Sequence, residues 1–393
     1  MNEQAPDAGL LASDPADRSP TADDLTNRKL LNWLFDTGRI NVRRCALFDT
    51  PPPSLPVALD WDRVEGMMLG LAVGDALGIP TEGQLPAERR ARHGEIRDYL
   101  PNKHVPEPRG FPSDDTQLAF WTLEQLLVDD GLVPDHLAAR FCRDHIFGIG
   151  STVRDFIQNY KERRLPWYEA GPKSAGNGAL MRVAPIIIPH LRTSSADLWV
   201  DAALAAMVTH NDSGSLAACL AVVSMLWRVL AMGSPPPAEW WLETYVAIAR
   251  ELEADETYRP RAPRFASYRG PMWRFVYEQV SVAADEDLSV LDACNRWHSG
   301  AFLLETVPSV LYILMRHGDN FEEAIVRAVN DTKDNDTVAA IVGAALGALH
   351  GKQAIPGRWL TGLSGRTTNR DDGRIFELLN DARGRWWNAE RGS

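Results

Sequence analysis

GMMLGLAVGDALG (residues 66–78) and TVAAIVGAALGALHG (residues 337–351) decide the fold class. Each is apolar around nearly its whole circumference, and a helix without a polar face is one buried on every side. Their Gly and Ala residues let neighbouring backbones approach closely. That contact has to offset up to about 1 kcal/mol for each helical Gly relative to Ala. Both segments therefore read as central helices of a bundle-like core. Outward from them, apolar stretches of helix length recur over 64–77, 116–128, 197–208, 215–232, 241–253, 272–284, 301–315, 321–329 and 337–349, separated by Gly, Pro and Asp. Strand-like alternation is scarce, and VAPIII at 183–188 is too short to decide alone. Nothing alternates as βαβ, which disfavours a parallel-sheet nucleotide fold, and no fixed-period repeat is present. The expected class is all-α.

The 393 residues carry a formal net charge of −12, which disfavours nucleic acid and anionic membrane as general partners. Cys45, Cys142, Cys219 and Cys294 are widely spaced without a CxxC pair. A zinc ribbon or disulfide framework is thus not expected, and core thiols point to a reducing, cytoplasmic setting. Residues 1–28 have no apolar run, so no signal peptide is read there. No run of 18 apolar residues is found, so no membrane span is expected. Residues 1–23, rich in Asp, Pro, Ala and Ser, read as disordered. Residues 24–37 read as a helix with an apolar stripe at Leu30, Leu31 and Leu34, beside Trp33 and Phe35. Arg39, Arg43 and Arg44 follow, and PPPSLP at 51–56 reads as a linker. The expected organisation is an N-terminal extension over 1–58 and one large domain over 59–393.

Two acidic clusters stand just before helices: Ser113-Asp114-Asp115-Thr116 and Asp334-Asn335-Asp336-Thr337. One carboxylate suffices to cap a helix and meet its positive end. Two or more side by side repel each other, and a divalent cation with oxygen ligands removes the repulsion. Capping and metal binding both remain open from the residues alone. An EF-hand loop starting at Asp334 fails, because Val338 and Ala339 occupy positions that need an oxygen ligand and a glycine. Asp75 lies inside an apolar helix, either as a hydrogen-bond hub or as a functional acid. Glu82 follows the Pro80 break. KSAGNGALMR at 173–182 offers exposed backbone N–H groups around Gly176-Asn177-Gly178, suited to phosphate or ribose and equally to an ordinary turn. His210, in Thr209-His210-Asn211-Asp212, ends an apolar helix and reads first as a helix cap. No nucleophile motif such as GxSxG appears.

In this order, GDALGIPTE, SDDT, GNGALMRVAPI, THND and DNDTVAAIVGAALGALHG resemble the ADP-ribosylglycohydrolase family over roughly residues 63–350. The resemblance implies an orthogonal multi-helix bundle with a binuclear Mg²⁺ centre, Mn²⁺ being the other candidate. It implies metal ligation by Ser113, Asp114, Asp115, Asp334, Asp336 and Thr337. Catalytic roles fall to Glu82, Asp114, Asp115 and Asp336. Substrate contacts fall to Gly148, Gly150 and Ser151 in GIGSTVRD, to Ser174, Gly176, Asn177 and Gly178, and to His210. Many relatives carry two glycines before Asp-x-Asp-Thr. Here Thr332 and Lys333 stand there, which leaves Lys333 either facing a phosphate or solvated.

The implied activity is metal-dependent hydrolysis of ADP-ribosylarginine on proteins. The chain is also similar to immunity proteins of this family that neutralise an ADP-ribosyltransferase toxin, and the Leu30, Leu31, Leu34 stripe would suit a toxin-binding arm. The alternatives are hydrolysis of serine-linked ADP-ribose or ADP-ribose esters, a non-catalytic toxin-binding protein, and a metal-dependent phosphoester hydrolase.

Overall fold

The computed structural model describes residues 26–101 and 108–388. The reading of 1–23 as disordered lies outside the described residues. In chain order the α-helices are α1 (Asn27–Asp36), α2 (Trp61–Gly78), α3 (Pro86–His93), α4 (Asp114–Asp129), α5 (Pro134–Arg143), α6 (Ser151–Ile157), α7 (Trp167–Ala170), α8 (Asp197–Met207), α9 (Ser213–Ala231), α10 (Glu239–Leu252), α11 (Met272–Asp285), α12 (Val290–Trp297), α13 (Leu303–His317), α14 (Phe321–Asp331), α15 (Asn335–His350), α16 (Gly357–Gly362) and α17 (Arg374–Arg383). Among the described residues there is no strand, only isolated bridges such as Gly176 with Phe302. The fold is all-α. VAPIII is neither strand nor α-helix: Ala184–His190 is a 3-10 helix with Pro at its start and Pro189 inside.

The two apolar segments become α2 and α15, which lie antiparallel with their backbones in contact. A Cβ added to Gly66 would collide with the carbonyl of Gly347, one on Gly70 with that of Gly343, and one on Gly74 with that of Ala339. The clash is mutual, since a Cβ on Gly343 or Gly347 would meet Gly70 or Gly66. Every residue of α15 from Asn335 to Leu349 is buried. The contact extends to the site: a Cβ on Gly78 would strike the backbone of Asn335 and Asp336. The small-residue register therefore fixes where the second acidic cluster begins.

The N-terminal extension, as far as it is described, packs as part of the same body. Leu31 and Leu34 are buried, and α1 lies against α8. The apolar stripe is thus used inside the chain rather than left for a partner, because burial against α8 removes it from water. Residues 51–56 have no helix, yet they are tied down: Trp199 Nε1 donates to Thr50 O (2.9 Å) and Trp227 Nε1 to Pro53 O (2.7 Å). Among the described residues one helix, Ser213–Ala231, is long and apolar enough to cross a membrane by length and composition. In this fold 89% of its most apolar window is buried inside the bundle.

Candidate active site

Ser113 caps α4, and Asp114 and Asp115 open its first turn. That start hangs on Asp75 of α2. Asp75 is buried and accepts from Ser113 N (2.9 Å), Thr116 N (3.0 Å) and Thr116 Oγ1 (2.6 Å). Burial pushes the Asp75 carboxyl up, and these hydrogen bonds pull against the rise. Asp75 is therefore the hub, and with the helix start already held, Asp114 and Asp115 are left facing a cavity.

The second cluster is held differently. Asn335 Nδ2 donates to Gly78 O (3.0 Å), Thr81 Oγ1 (3.0 Å) and Val329 O (3.1 Å), locking the start of α15 to α2. Asp334 accepts from Asn177 Nδ2 (2.6 Å), while its backbone N donates to Ser299 O (2.9 Å). His298 (φ +82°) and Ser299 (φ +42°) are consecutive non-glycine residues in the left-handed region, so the turn that seats Asp334 is strained.

These carboxylates meet in one cavity of about 320 Å³. Its lining includes Glu82, Asp114, Asp115, Gly148, Gly150, Ser151, Ser174, Gly176, Asn177, Gly178, His210, Asp334, Asp336 and Thr337. Of the residues singled out in the sequence, Ser113 is not in that lining, because its hydroxyl caps Asp115 N. Carboxylate oxygens of Glu82, Asp334 and Asp336 lie within 4.8 Å of one another. Asp115 Oδ2 and Asp336 Oδ1 are buried without a hydrogen-bond partner.

Burial and mutual repulsion raise the whole set. The Asp114 carboxyl is pushed up to about 8, by burial first and then by the charge of Asp75. Asp334 is pushed up to about 7, mainly by burial. Asp115 and Asp336 stand well above the carboxylate range, again by burial, with Asp75 and Asp334 respectively the strongest neighbouring charges. Glu82 is exposed at the mouth. Partial desolvation and the charge of Asp75 raise its carboxyl.

The loop carrying Glu82 is clamped by Arg89, which the sequence reading passed over. Its buried guanidinium donates to Thr81 Oγ1 (2.9 Å), Gln84 O (3.1 Å), Asn330 O (3.1 Å) and Thr332 O (2.7 Å). Gly83 (φ +75°), in the left-handed turn after Glu82, donates its N–H to Lys333 O (3.2 Å). Lys333 itself neither faces the cavity nor is free in solvent: its Nζ lies 3.1 Å from His298 Nε2 and it is half-buried.

Opposite the carboxylates, Thr152 and Ser174 hydroxyls pair (2.9 Å) and join the 148–152 and 174–178 loops. Asn177 lines the cavity, and its Nδ2 donates to Asp334 Oδ2 (2.6 Å) and Thr306 Oγ1 (3.0 Å), so this amide also holds a carboxylate. His210 is buried beneath Gly176 and Gly178, where a Cβ on Gly178 would come 2.9 Å from its Cε1. Thr209 Oγ1 accepts from Arg182 Nη2 (2.7 Å) and lies 2.8 Å from His210 Nδ1. Burial and the Arg182 charge push His210 down to about 3, so the imidazole is neutral. Arg261 and Phe302 also line the cavity, with Arg261 Nε and Nη2 bonded to buried Glu305 (2.8 and 2.6 Å).

The chain is similar to the ADP-ribosylarginine hydrolase Tri1 of Pseudomonas putida (strain GB-1): 26% identity over 81% of this chain and 76% of that protein. It is similar to the ADP-ribosylhydrolase ARH3 of Xenopus tropicalis: 26% identity over 81% of this chain and 95% of that one. A solved structure titled ADP-ribosylglycohydrolase-related protein complex matches with a TM-score of 0.60 and 29% identity, covering 83% of this chain and 97% of that chain. The sequence profile of the ADP-ribosylglycohydrolase family matches residues 56–388, so the chain belongs to that family of hydrolases.

Proposed function

We propose that this protein hydrolyses the N-glycosidic bond between ADP-ribose and an arginine side chain of a modified protein, with two divalent cations, Mg²⁺ or Mn²⁺, in the acidic cavity. One observation carries the reading. Five carboxylates from three separate stretches of chain open into one cavity, and two of their buried oxygens have no protein partner. Left alone, such a set is protonated or repels itself. Hard cations take oxygen ligands of this kind, so the residues present fit the group. Asp114, Asp115, Asp334, Asp336 and Thr337 would hold the ions, with Glu82 at the mouth. Bound there, divalent ions would balance the carboxylates and polarise oxygen atoms of water and substrate.

The chain's own groups supply the rest. Glu82, open to solvent and raised in pKa, takes the proton of the attacking water at its carboxylate oxygen. The water oxygen bonds to C1″ of the ribose as the C1″–N bond breaks with its electron pair going to the arginine nitrogen, and Glu82 passes the proton it took to that nitrogen, which leaves as guanidinium. The 148–152 and 174–178 loops hold the ADP-ribose, with the neutral His210 imidazole beneath them. The similarity to Tri1 supports the arginine linkage, and the similarity to ARH3 keeps serine-linked or ester-linked ADP-ribose as the second reading. In the cytoplasm such an activity would reverse the work of an ADP-ribosyltransferase, including a toxin. A toxin-binding arm within residues 1–58 would use residues 1–25, outside the described residues, or the exposed face of α1 at Lys29, Asn32 and Asp36.

The test is incubation with arginine-linked and serine-linked ADP-ribosyl substrates, with Mg²⁺ and with chelator. Intact ADP-ribose should leave the arginine substrate only with metal present. Release of phosphate, or turnover of the serine linkage alone, sinks the arginine reading.

A further inference from the structure

Residues 37–55, between α1 and the start of the region matched by the family profile, reach the corner next to His210, which lines the cavity. Asn41 is flanked by buried Ile40 and Val42, which seat it against the corner at 209–212. There it pairs reciprocally with Asn211. The backbone N of Asn41 donates to Asn211 Oδ1 (2.9 Å), Asn41 Nδ2 donates to Asn211 O (2.7 Å), and Asn211 Nδ2 donates to Arg39 O (2.7 Å). The other face of the corner is met by Asn211 N donating to Pro172 O (3.1 Å). Asn211 therefore has both its amide and its main chain committed to neighbouring segments, and the next residue back is His210.

His210 is in close contact with Gly178. A shift of its ring by a few tenths of an ångström either closes on the 176–178 loop or opens a gap under it. The three hydrogen bonds between Asn211 and residues 39–41, with a fourth to Pro172, limit that shift. We propose that Asn41 is a positioning residue: residues 39–42 brace the 209–212 corner from outside, and through Asn211 they set the place of His210 against the loop that receives the ribose and phosphates. The extension is on this account a working wall of the site. The ligand named here rests on the proposed function, whereas the positioning of His210 does not.

A brace and a mere packing strap differ in what they transmit. Asn41→Asp keeps the shape but turns a carboxylate oxygen toward the Asn211 carbonyl, and Asn41→Ala removes the same bond without a charge. Trp199→Phe cuts the strap elsewhere, at Thr50 O, away from the corner. The full-length variants are compared by thermal unfolding, by the NMR signals of the His210 ring (assigned with His210→Gln), and by calorimetric titration with ADP-ribose. Both Asn41 variants should shift the His210 signals, and Asn41→Asp should weaken ADP-ribose about tenfold, the loss of roughly one buried hydrogen bond. Trp199→Phe should lower the Tm and leave both unchanged. Unmoved His210 signals in the Asn41 variants, or equal effects of Trp199→Phe, overturn the proposal. If the wild type binds no ADP-ribose while Asn41→Asp still shifts His210, the ligand reading falls and the positioning stands.

Discussion

The two acidic helix starts, Ser113-Asp114-Asp115-Thr116 and Asp334-Asn335-Asp336-Thr337, are spelled almost alike and built differently. The first is anchored from outside, by Asp75 on another helix, which takes up the N–H groups of Ser113 and Thr116. The second anchors itself with its own Asn335, on carbonyls of α2 and α14, and borrows Asn177 for Asp334. At the first, Asp75 and Ser113 take up backbone N–H groups of the helix start, and at the second, Asn335 ties the start to α2 and α14, while Asp114, Asp115 and Asp336 face the cavity. Anchoring the backbone and facing the cavity, rivals when only the letters are read, fall here to different side chains. The difference also separates two dependencies: the first cluster relies on one carboxylate, the second on the close approach of α2 and α15.

Removing a free carboxylate should have the largest effect, equally at either start. Asp114→Ala or Asp336→Ala should lower turnover at saturating Mg²⁺ by about a thousandfold, since several kcal/mol of charge stabilisation goes with it. In chelator, Asp115→Asn should raise the Tm, because it deletes a buried charge crowded by Asp75, Asp336, Asp114 and Asp334. A lower Tm there means the carboxylates are structural.

Gly78→Ala and Gly70→Ala split the dependencies. Both collide with backbone and should cost about 1–3 kcal/mol of stability by overpacking. Gly78→Ala presses on Asp336 and should also weaken Mg²⁺ binding, measured by calorimetry, while Gly70→Ala should lower only the Tm. Equal effects on metal binding would remove the special role of the α2–α15 register.

Outer anchors come next. Asp75→Asn and Asn177→Ala should each weaken metal affinity by about 10- to 100-fold, the usual cost of losing a partner that orients a ligand. Asp75→Asn should spare the second cluster, seen as unchanged amide exchange at the start of α15.

The pH dependence tests the charges themselves. The Asp114 and Asp334 carboxyls titrate near 8 and 7 in the fold against 3.8 as the ordinary value. The folded protein then binds more protons than the unfolded chain, so metal-free stability is highest below pH 4 for these groups and falls as pH rises toward 8. Scanning calorimetry in chelator should show Tm declining from pH 5 to 8, with a flatter profile in Mg²⁺. A chelator profile as flat as the Mg²⁺ profile would remove the electrostatic account of both clusters.

How much of this is legible in the letters depends on what a residue bonds to. The all-round apolar pattern of 66–78 and 337–351 predicts two central helices, and their spacing of small residues is the contact found. Clustered carboxylates draw attention to themselves, and most of the residues read as a site do share one cavity. Arg89 escapes notice because its acceptors at Asn330 and Thr332 are main-chain carbonyls far along the chain, which have no letter of their own. Arg261 looks like any loop arginine until Glu305 is folded beside it. The Leu31 and Leu34 stripe was readable as apolar, but periodicity cannot say whether the covering surface is α8 or another protein. The anchoring roles of Asp75 and Asn177 require knowing which backbone N–H and which carboxylate lie opposite them.

The most direct test of the central claim is calorimetric titration of metal-free protein with Mg²⁺, in the wild type, Asp114→Ala and Asp336→Ala. The account predicts two ions per wild-type chain, with loss of at least one in each variant although the two residues stand on different helices. Absence of Mg²⁺ and Mn²⁺ binding to the folded wild type, or stoichiometry unchanged in both variants, would contradict it.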